Sequence, residues 1–263
     1  MHNFINLSVE AAIEAGKKIL EVYQHDFTVE TKTDNSPLTE ADQQAHCTIK
    51  NILQHSGLPI LSEEGKQIPY KERKHWEEFW LVDPLDGTKE FIKKNGEFTV
   101  NVALIKNGVP VMGVVYVPVT GVIYVASEKI GSLSFNANNN DHEIADMLNK
   151  AVKLPLPTKP EIYTIVASRS HSTPETEGFI EERKKLNGNV NLISAGSSLK
   201  LCLVAEGKAQ VYPRLAPTME WDTAAGHAIA KFAGCKVYSY ESNDELKYNK
   251  ENLLNPWFVV ERA

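Results

Sequence analysis

Trp80-Leu81-Val82-Asp83-Pro84-Leu85-Asp86-Gly87-Thr88 is the stretch on which the reading of this chain turns. A short apolar run, the pattern of a buried strand, ends in two aspartates three positions apart. Pro84 stiffens the turn between them by fixing its φ. Both carboxylates and the Leu85 carbonyl can then converge on the end of the strand. Gly87 and Thr88 follow with backbone N–H groups on which an anion could rest. Taken alone, Asp-Pro-x-Asp-Gly is also an ordinary turn, because each of these residues favours one.

Two other acidic segments could reach the same place. Glu63 and Glu64 close the run Ile60-Leu61-Ser62, which would deliver them to a sheet edge. Asp222 follows Trp221 and leads into Thr223-Ala224-Ala225-Gly226, a helix start small enough for close approach. Singly, the glutamates also read as a solvated loop and Asp222 as a helix cap favoured by the macrodipole. If the three segments meet, their hard oxygen donors, with no His or Cys cluster nearby, select Mg²⁺ over zinc.

Around these motifs the pattern divides in two. Residues 4–24 place Val9, Ala12, Ile13, Gly16, Ile19, Leu20 and Tyr23 on one helical face. A polar hinge over 33–37 precedes a second helix with Thr39 as N-cap and Ala41, Ala45, Ile49, Ile52 and Leu53 as its apolar stripe. Strands are expected at 59–62, 79–83, 98–105, 109–117 and 122–126, the later ones antiparallel. Residues 127–160 are the least regular, with a loop at 136–140 and a short helix at 142–150. Beyond Pro155-Leu156-Pro157 and Pro160 the order alternates. Strands at 162–167, 190–194, 209–212 and 236–240 interleave with helices at 174–185, 197–206 and 222–233. The expectation is an antiparallel α+β lobe, 1–155, followed by a smaller α/β lobe, 156–263.

Composition narrows the function. Of 263 residues, 42% are hydrophobic and 24% charged, enough for a substantial core, and the net charge is −6 with no basic tail. A polycationic face for nucleic acid is therefore not expected. An acidic protein that handles an anion must concentrate positive charge locally, through metal ions or a few placed Lys and Arg. Cys47, Cys202 and Cys235 are scattered, without a C-x-x-C, and read as small buried residues in a reducing cytoplasm. Glu10, Glu14, Lys17 and Lys18 break up any signal-peptide core, and no run approaches the ~18 apolar residues of a membrane span. A soluble protein is expected. Trp76, Trp80 and Trp257 read as core residues, and Lys71-Glu72-Arg73-Lys74-His75 as a solvated face.

Taken together, Asp83-Pro84-Leu85-Asp86-Gly87-Thr88, Trp221-Asp222-Thr223-Ala224-Ala225-Gly226 and Glu63 some twenty residues upstream resemble the paired signature of the inositol monophosphatase superfamily. The likeness runs from Lys32 to Asn255-Pro256 and is weakest over 127–160. Within the superfamily the chain is most similar to the bacterial 3′(2′),5′-bisphosphate nucleotidases. That similarity rests on Asp34-Asn35-Ser36-Pro37, Leu61-Ser62-Glu63-Glu64, the extension Lys89-Glu90-Phe91-Ile92-Lys93, Asn95-Gly96-Glu97-Phe98-Thr99-Val100-Asn101 and Gly196-Ser197-Ser198-Leu199-Lys200.

The resemblance implies a layered α-β-α-β-α sandwich and removal of the 3′-phosphate from 3′-phosphoadenosine 5′-phosphate, with inhibition by Li⁺. It implies two or three Mg²⁺ ions. Glu63, Asp83 and the Leu85 carbonyl would hold one, Asp83, Asp86 and Asp222 a second, and a weaker third would lie near Glu63. Thr88 paired with Asp42 matches the family's water-orienting pair, although Asp42 also suits a cap. Gly87, Thr88 and Asp222 would line the cleaved phosphate's side. His171, Ser197, Lys200 and Arg214 are the candidates for the rest of a nucleoside bisphosphate, with Ser197 and Lys200 sharing one helix face and Arg214 offering a fork to phosphate. Lys200 also reads as a solvated helix residue, and His171 and Arg214 as surface loop residues. Lys32 would also help hold phosphate, or stand as a mobile loop lysine. Some relatives lie at the cytoplasmic face of the inner membrane, though no anchor is visible. The alternatives are an inositol or sugar phosphate phosphatase of the same superfamily and a non-catalytic metabolite-binding relative.

Overall fold

The computed structural model describes residues 2–31, 37–137, 143–157, 161–168 and 173–262. Lys32, the 33–36 part of the hinge, residues 138–142, Pro160 and His171 lie outside the described residues.

The chain opens with α1 (His2–Tyr23), a short hairpin of β1 (Val29–Thr31) and β2 (Pro37–Thr39), and α2 (Glu40–Leu53). The apolar stripes predicted for α1 and α2 are the faces they bury, since Val9, Ala12, Ile19, Ala41, Ala45, Ile49 and Leu53 all lie in one cluster. That cluster includes Trp80, Val82, Val100, Val102, Val114 and Tyr116 from one face of a seven-stranded sheet. The sheet runs in chain order: β3 (Ile60–Ser62), β4 (Glu78–Asp86), β5 (Thr99–Lys106), β6 (Val109–Val117), β7 (Val122–Ser127), β8 (Gly131–Asn136) and β9 (Val152–Lys153). All its pairings are antiparallel except β3 with β4, which is parallel. That exception places the C-terminal ends of β3 and β4, and with them Glu63 and Asp83, at the same edge. Short helices α3 (Tyr70–Arg73), α4 (Thr88–Ile92) and α5 (Ile144–Asn149) fill the connections.

The second sheet has the order β11-β10-β12-β14-β13. It is built from β10 (Tyr163–Ser168), β11 (Val190–Ala195), β12 (Val211–Arg214), β13 (Cys235–Ser239) and β14 (Phe258–Arg262). Strands β10, β11 and β12 are parallel, while β14 runs antiparallel between β12 and β13. Helix α6 (Pro174–Asn187) covers its outer face through Phe179 and Ile180. Helices α7 (Leu199–Glu206) and α8 (Glu220–Phe232) lie between the two sheets, within a core that takes residues from both. The layers are thus α1/α2, seven strands, α7/α8, five strands, α6: the expected α-β-α-β-α sandwich. Gly113 lets α8 sit directly on β6, because a Cβ there would stand 2.4 Å from the Ala225 carbonyl oxygen.

Several expectations are corrected. Strands β8 and β14 and helix α4 stand where the sequence reading placed none. Cys47 is exposed on α2; only Cys202 and Cys235 are buried. Arg73, read as part of a solvated run, is 3% exposed. Trp80 is fully buried, and Trp76 and Trp257 are partly buried against the core, as expected of packing residues. Among the described residues no helix is long and apolar enough to cross a membrane.

Candidate active site

The acidic segments meet in a cleft of about 280 Å³ between the sheets, lined by Glu63, Asp83, Leu85, Asp86, Gly87, Thr88, Ser197, Lys200, Tyr212, Arg214 and Asp222 among others. One carboxylate oxygen from each of Glu63, Asp83 and Asp222 lies within 4.8 Å of the other two. Asp83 sits in β4 just before the register shift that Pro84 and Leu85 create against β5. There its Oδ1 accepts the Leu85 N–H at 3.0 Å. Past the shift, Gly87 takes φ 92°, a left-handed conformation open to glycine at no steric cost, and α4 starts at Thr88.

Two aspartates reach the cleft by the same device. Asp42 and Asp222 each stand in the first turn of a helix and accept the N–H of the residue three back, Thr39 at 2.7 Å and Met219 at 2.8 Å. This is the carboxylate half of a capping box. Asp42 Oδ2 also takes the Thr39 hydroxyl at 2.6 Å, while Oδ1 takes the Thr88 hydroxyl at 3.2 Å. Asp42 thus caps α2 with one oxygen and accepts the Thr88 hydroxyl with the other.

Asp86 is fixed differently. Its Oδ2 accepts from Ser197 and Ser198 hydroxyls, both at 2.9 Å, and from the Asn101 amide at 3.3 Å. With one oxygen so occupied, the other is the atom left to face the cleft. Ser197 holds φ 51°, sparsely populated for a residue with a Cβ, and its hydroxyl meets that of Thr99 at 2.6 Å. Ser198 also donates to the Asp222 backbone carbonyl at 2.7 Å, so one hydroxyl lies within reach of two acidic segments. Ser198, Asn101 and Thr99 had no assigned role in the sequence reading. The available signal was Thr99 and Asn101 inside β5, a strand buried on both faces, where polar residues need a partner.

The electrostatics are those of crowded like charges. Burial pushes the Asp83 carboxyl well above the usual carboxylate range, and Glu63, Asp86, Asp222 and Asp42 push it further. Asp222 is raised by burial, then by Asp86 and Glu63, against the opposing pull of the Met219 N–H and Arg214. Such a group of oxygens is stable in ionised form only beside cations. The donor set is all oxygen, with no His or Cys in it, which fits a hard divalent ion.

In the same cleft, Lys200 and Arg214 supply positive charge. The sequence reading put Ser197 and Lys200 on one helix face; in the structure α7 begins after both Ser197 and Ser198, and Ser197 turns instead onto Asp86. Lys200 is no solvated helix residue. It is 6% exposed, donates to the Ser197 and Ala195 carbonyls at 2.6 and 3.3 Å, and faces the Tyr212 ring. Burial lowers its pKa to about 8, with Asp86 pulling the other way. Arg214 ends β12, donates from Nη2 to the Pro217 carbonyl at 2.9 Å, and keeps a buried Nε without a hydrogen-bond partner. Among the predicted residues, Glu63, Asp83, Leu85, Asp86, Gly87, Thr88, Ser197, Lys200, Arg214 and Asp222 line one cleft, with Asp42 joined to it through Thr88.

The chain matches the Inositol monophosphatase family over residues 1–259. It is 43% identical over 255 residues to the 3′(2′),5′-bisphosphate nucleotidase CysQ of Escherichia coli K12, covering 95% of this chain and 96% of that protein. The CysQ of Buchnera aphidicola is 40% identical, covering 94% of this chain and 88% of that protein. Among solved structures, CysQ from Bacteroides thetaiotaomicron superposes with a TM-score of 0.89 at 53% identity, over 97% of this chain and 96% of that one. An inositol monophosphatase from Anabaena shares the fold at 21% identity, with a TM-score of 0.73 over 100% of this chain and 91% of that one. The chain belongs to the inositol monophosphatase family of phosphatases.

Proposed function

We propose that this protein is a magnesium-dependent 3′(2′),5′-bisphosphate nucleotidase that converts 3′-phosphoadenosine 5′-phosphate to AMP and phosphate. The observation that carries the proposal is a cleft that holds both signs of charge. Carboxylates of Glu63, Asp83 and Asp222 cluster in it, and Lys200 and Arg214 line it with them. Carboxylates alone would repel a phosphate dianion, so the acidic cluster is a place for cations and the two basic residues a place for a phosphate that is not cleaved. The names of the CysQ relatives support that choice of substrate.

In this reading Glu63, Asp83 and the Leu85 carbonyl would hold one Mg²⁺, Asp83, Asp86 and Asp222 would hold a second, and Glu63 would help hold a third. Bound there, the ions would acidify a water, clamp the phosphoryl oxygens and offset charge on the leaving alkoxide. The chain's own residues do the rest. The Thr88 hydroxyl is held by Asp42 at 3.2 Å and lies 3.4 Å from the Leu85 carbonyl, an arrangement that can orient the attacking water. The N–H groups of Gly87 and Thr88, at the start of α4, receive a phosphoryl oxygen. Ser197 and Ser198 hold the Asp86 carboxylate through one oxygen, which would leave the other for a cation. Lys200 and Arg214 bind the 5′-phosphate, which places the 3′-ester at the carboxylates. His171 is assigned to the nucleoside and Lys32 to phosphate by resemblance alone.

The test is phosphate release from 3′-phosphoadenosine 5′-phosphate, inositol monophosphate and fructose bisphosphate, each with Mg²⁺ and with chelator. The expected result is hydrolysis of the bisphosphate at a kcat/KM at least about tenfold above the others, lost with chelator. Equal or better hydrolysis of inositol phosphate would move the assignment to the inositol phosphatases. A reading as a metabolite-binding relative without activity requires no release from any substrate.

A further inference from the structure

Helix α8 carries Asp222 two residues after a glutamate that the reaction itself does not use. Glu220 is fully buried. Its Oε2 accepts the Asn249 N–H at 2.6 Å, and its Oε1 accepts the Lys250 N–H at 3.0 Å and the Lys250 ammonium at 2.5 Å. Asn249 has φ 68°, the left-handed turn that brings two successive N–H groups round a single anion. The same three-residue loop is gripped from the other side by Arg73. Arg73 Nη1 donates to the Asn249 side-chain oxygen at 2.9 Å and to the Lys250 carbonyl at 2.6 Å, and Nη2 donates to the Glu251 carbonyl at 2.8 Å. The Asn249 amide returns a bond to the Arg73 carbonyl at 2.7 Å.

Arg73 lies on the connection between β3 and β4, ten residues after Glu63 and ten before Asp83. Glu220 lies on the first turn of α8 with Asp222. The loop 249–251 therefore ties the two acidic halves of the site together from behind, through contacts that never enter the cleft. We propose that Glu220 and Arg73 are positioning residues that set the spacing of Asp222 from Glu63 and Asp83 through this loop, and so set the protein's affinity for divalent cations. The inference rests on the reading of Asp222 as a metal ligand.

The reason to expect a functional effect is geometric. Carboxylate oxygens must meet a hard ion at about 2.0–2.6 Å, and a shift of Asp222 by a few tenths of an ångström takes it outside that window. A clamp that merely stabilised the fold would lower the unfolding temperature equally with and without metal. One that sets the spacing changes the metal-dependent part.

The experiment compares wild type, Glu220→Gln, Asn249→Gly and Asp222→Asn. The readouts are the rise in unfolding temperature on adding Mg²⁺ and the Mg²⁺ concentration for half-maximal phosphate release. Glu220→Gln keeps one acceptor oxygen, so it retains one of the two backbone bonds and loses the other together with the ionic partner of Lys250. Asn249→Gly keeps the left-handed turn and both N–H groups but loses the reciprocal bonds with Arg73, so it reports on the clamp even if the buried change at 220 prevents folding. The expected result is a fivefold or greater increase in the half-maximal Mg²⁺ concentration for either variant, a smaller metal-induced rise in unfolding temperature, and kcat at saturating Mg²⁺ within about threefold of wild type. A lower unfolding temperature with an unchanged metal response in both variants would overturn the proposal, leaving the clamp as a fold contact. If Asp222→Asn also keeps the full metal response, the ligand reading fails together with the inference drawn from it. If only Asp222→Asn loses the response, the clamp alone is refuted.

Discussion

At the residue scale the site works by assigning the two oxygens of each carboxylate to different tasks. Asp42 gives one oxygen to the cap of α2 and the other to Thr88; Asp86 gives one to three protein donors and leaves one for the cleft. Replacing Asp86 by Asn removes the charge without removing bulk. Its expected effect on turnover exceeds the about 10–100-fold that loss of a group merely supporting a metal ligand costs, with unfolding temperature in chelator unchanged or raised because a like charge has gone. Wild-type turnover in Asp86→Asn would remove Asp86 from the ligand set. Arg214 tests the basic part of the cleft. Its guanidinium lines the cleft, and hydrogen bonds to charged groups contribute about 1.5–3 kcal/mol. Arg214→Ala should therefore lower kcat/KM for the bisphosphate by about 10–100-fold and leave inositol phosphate hydrolysis within about threefold. A uniform loss across both substrates would count against a phosphate-specific role. The acidic residues were legible in the sequence because their motifs are contiguous. Ser198 and Asn101 were not, since each acts across 112 or 15 positions of chain on Asp86. Arg73 was misread because three carbonyl and amide acceptors contributed by residues 249–251 do not show in a run of Lys, Glu and His.

At the scale of elements, periodicity served well wherever one face is buried. Both N-terminal helices and the strands 109–117 and 122–126 emerged with the apolar faces expected of them, and strand 109–117 with its bounds unchanged. Strand β8 escaped notice because Gly-Ser-Leu-Ser-Phe-Asn mixes turn formers with a weak alternation, and its pairing with β7 is what makes it a strand. Strand β14 escaped because it is separated from its partners in sequence, yet it completes the second sheet by inserting between β12 and β13. The seat of α8 is the element-level feature with the greatest effect on function, since it carries Asp222 to the cleft. At Gly113 an added methyl would meet the Ala225 carbonyl oxygen at 2.4 Å and the Ala228 Cβ at 2.9 Å. Neither can rotate away, so α8 must shift. Overpacking of this kind costs about 1–3 kcal/mol or more, which for a chain of this length lowers the unfolding temperature by several degrees. Gly113→Ala should show that loss by calorimetry together with weaker Mg²⁺ activation. Full stability would mean that α8 does not rest on β6 as described.

At the scale of the whole molecule, two sheets and the helices between them hold a cluster of mutually repelling carboxylates in place. Folding therefore forces Asp83 and Asp222 into a setting that favours their protonated forms, by burial first and by one another's charge second. A carboxyl whose folded pKa lies above its unfolded value binds more protons folded than unfolded in the interval between the two. Its contribution thus stabilises the metal-free protein as pH falls through the raised folded pKa toward about 3.8, and opposes folding above that interval. Buried His227, whose pKa is lowered chiefly by desolvation, acts in the reverse sense below about 6.5, so the raw stability profile mixes the two. The increment due to Mg²⁺ separates them, because His227 bonds Tyr248 and Glu245 and not the cleft. Cations bind the ionised carboxylates and compete with protons for them. At about a hundred times its dissociation constant, Mg²⁺ adds about 2.7 kcal/mol, or about 5–10 °C for a domain of this size. That rise should be largest at pH 8 and shrink steadily toward pH 5, and in Asp83→Asn it should be small at every pH. A Mg²⁺ increment that is absent at pH 8, or constant across the range, would mean that Glu63, Asp83 and Asp222 do not gather a cation between them.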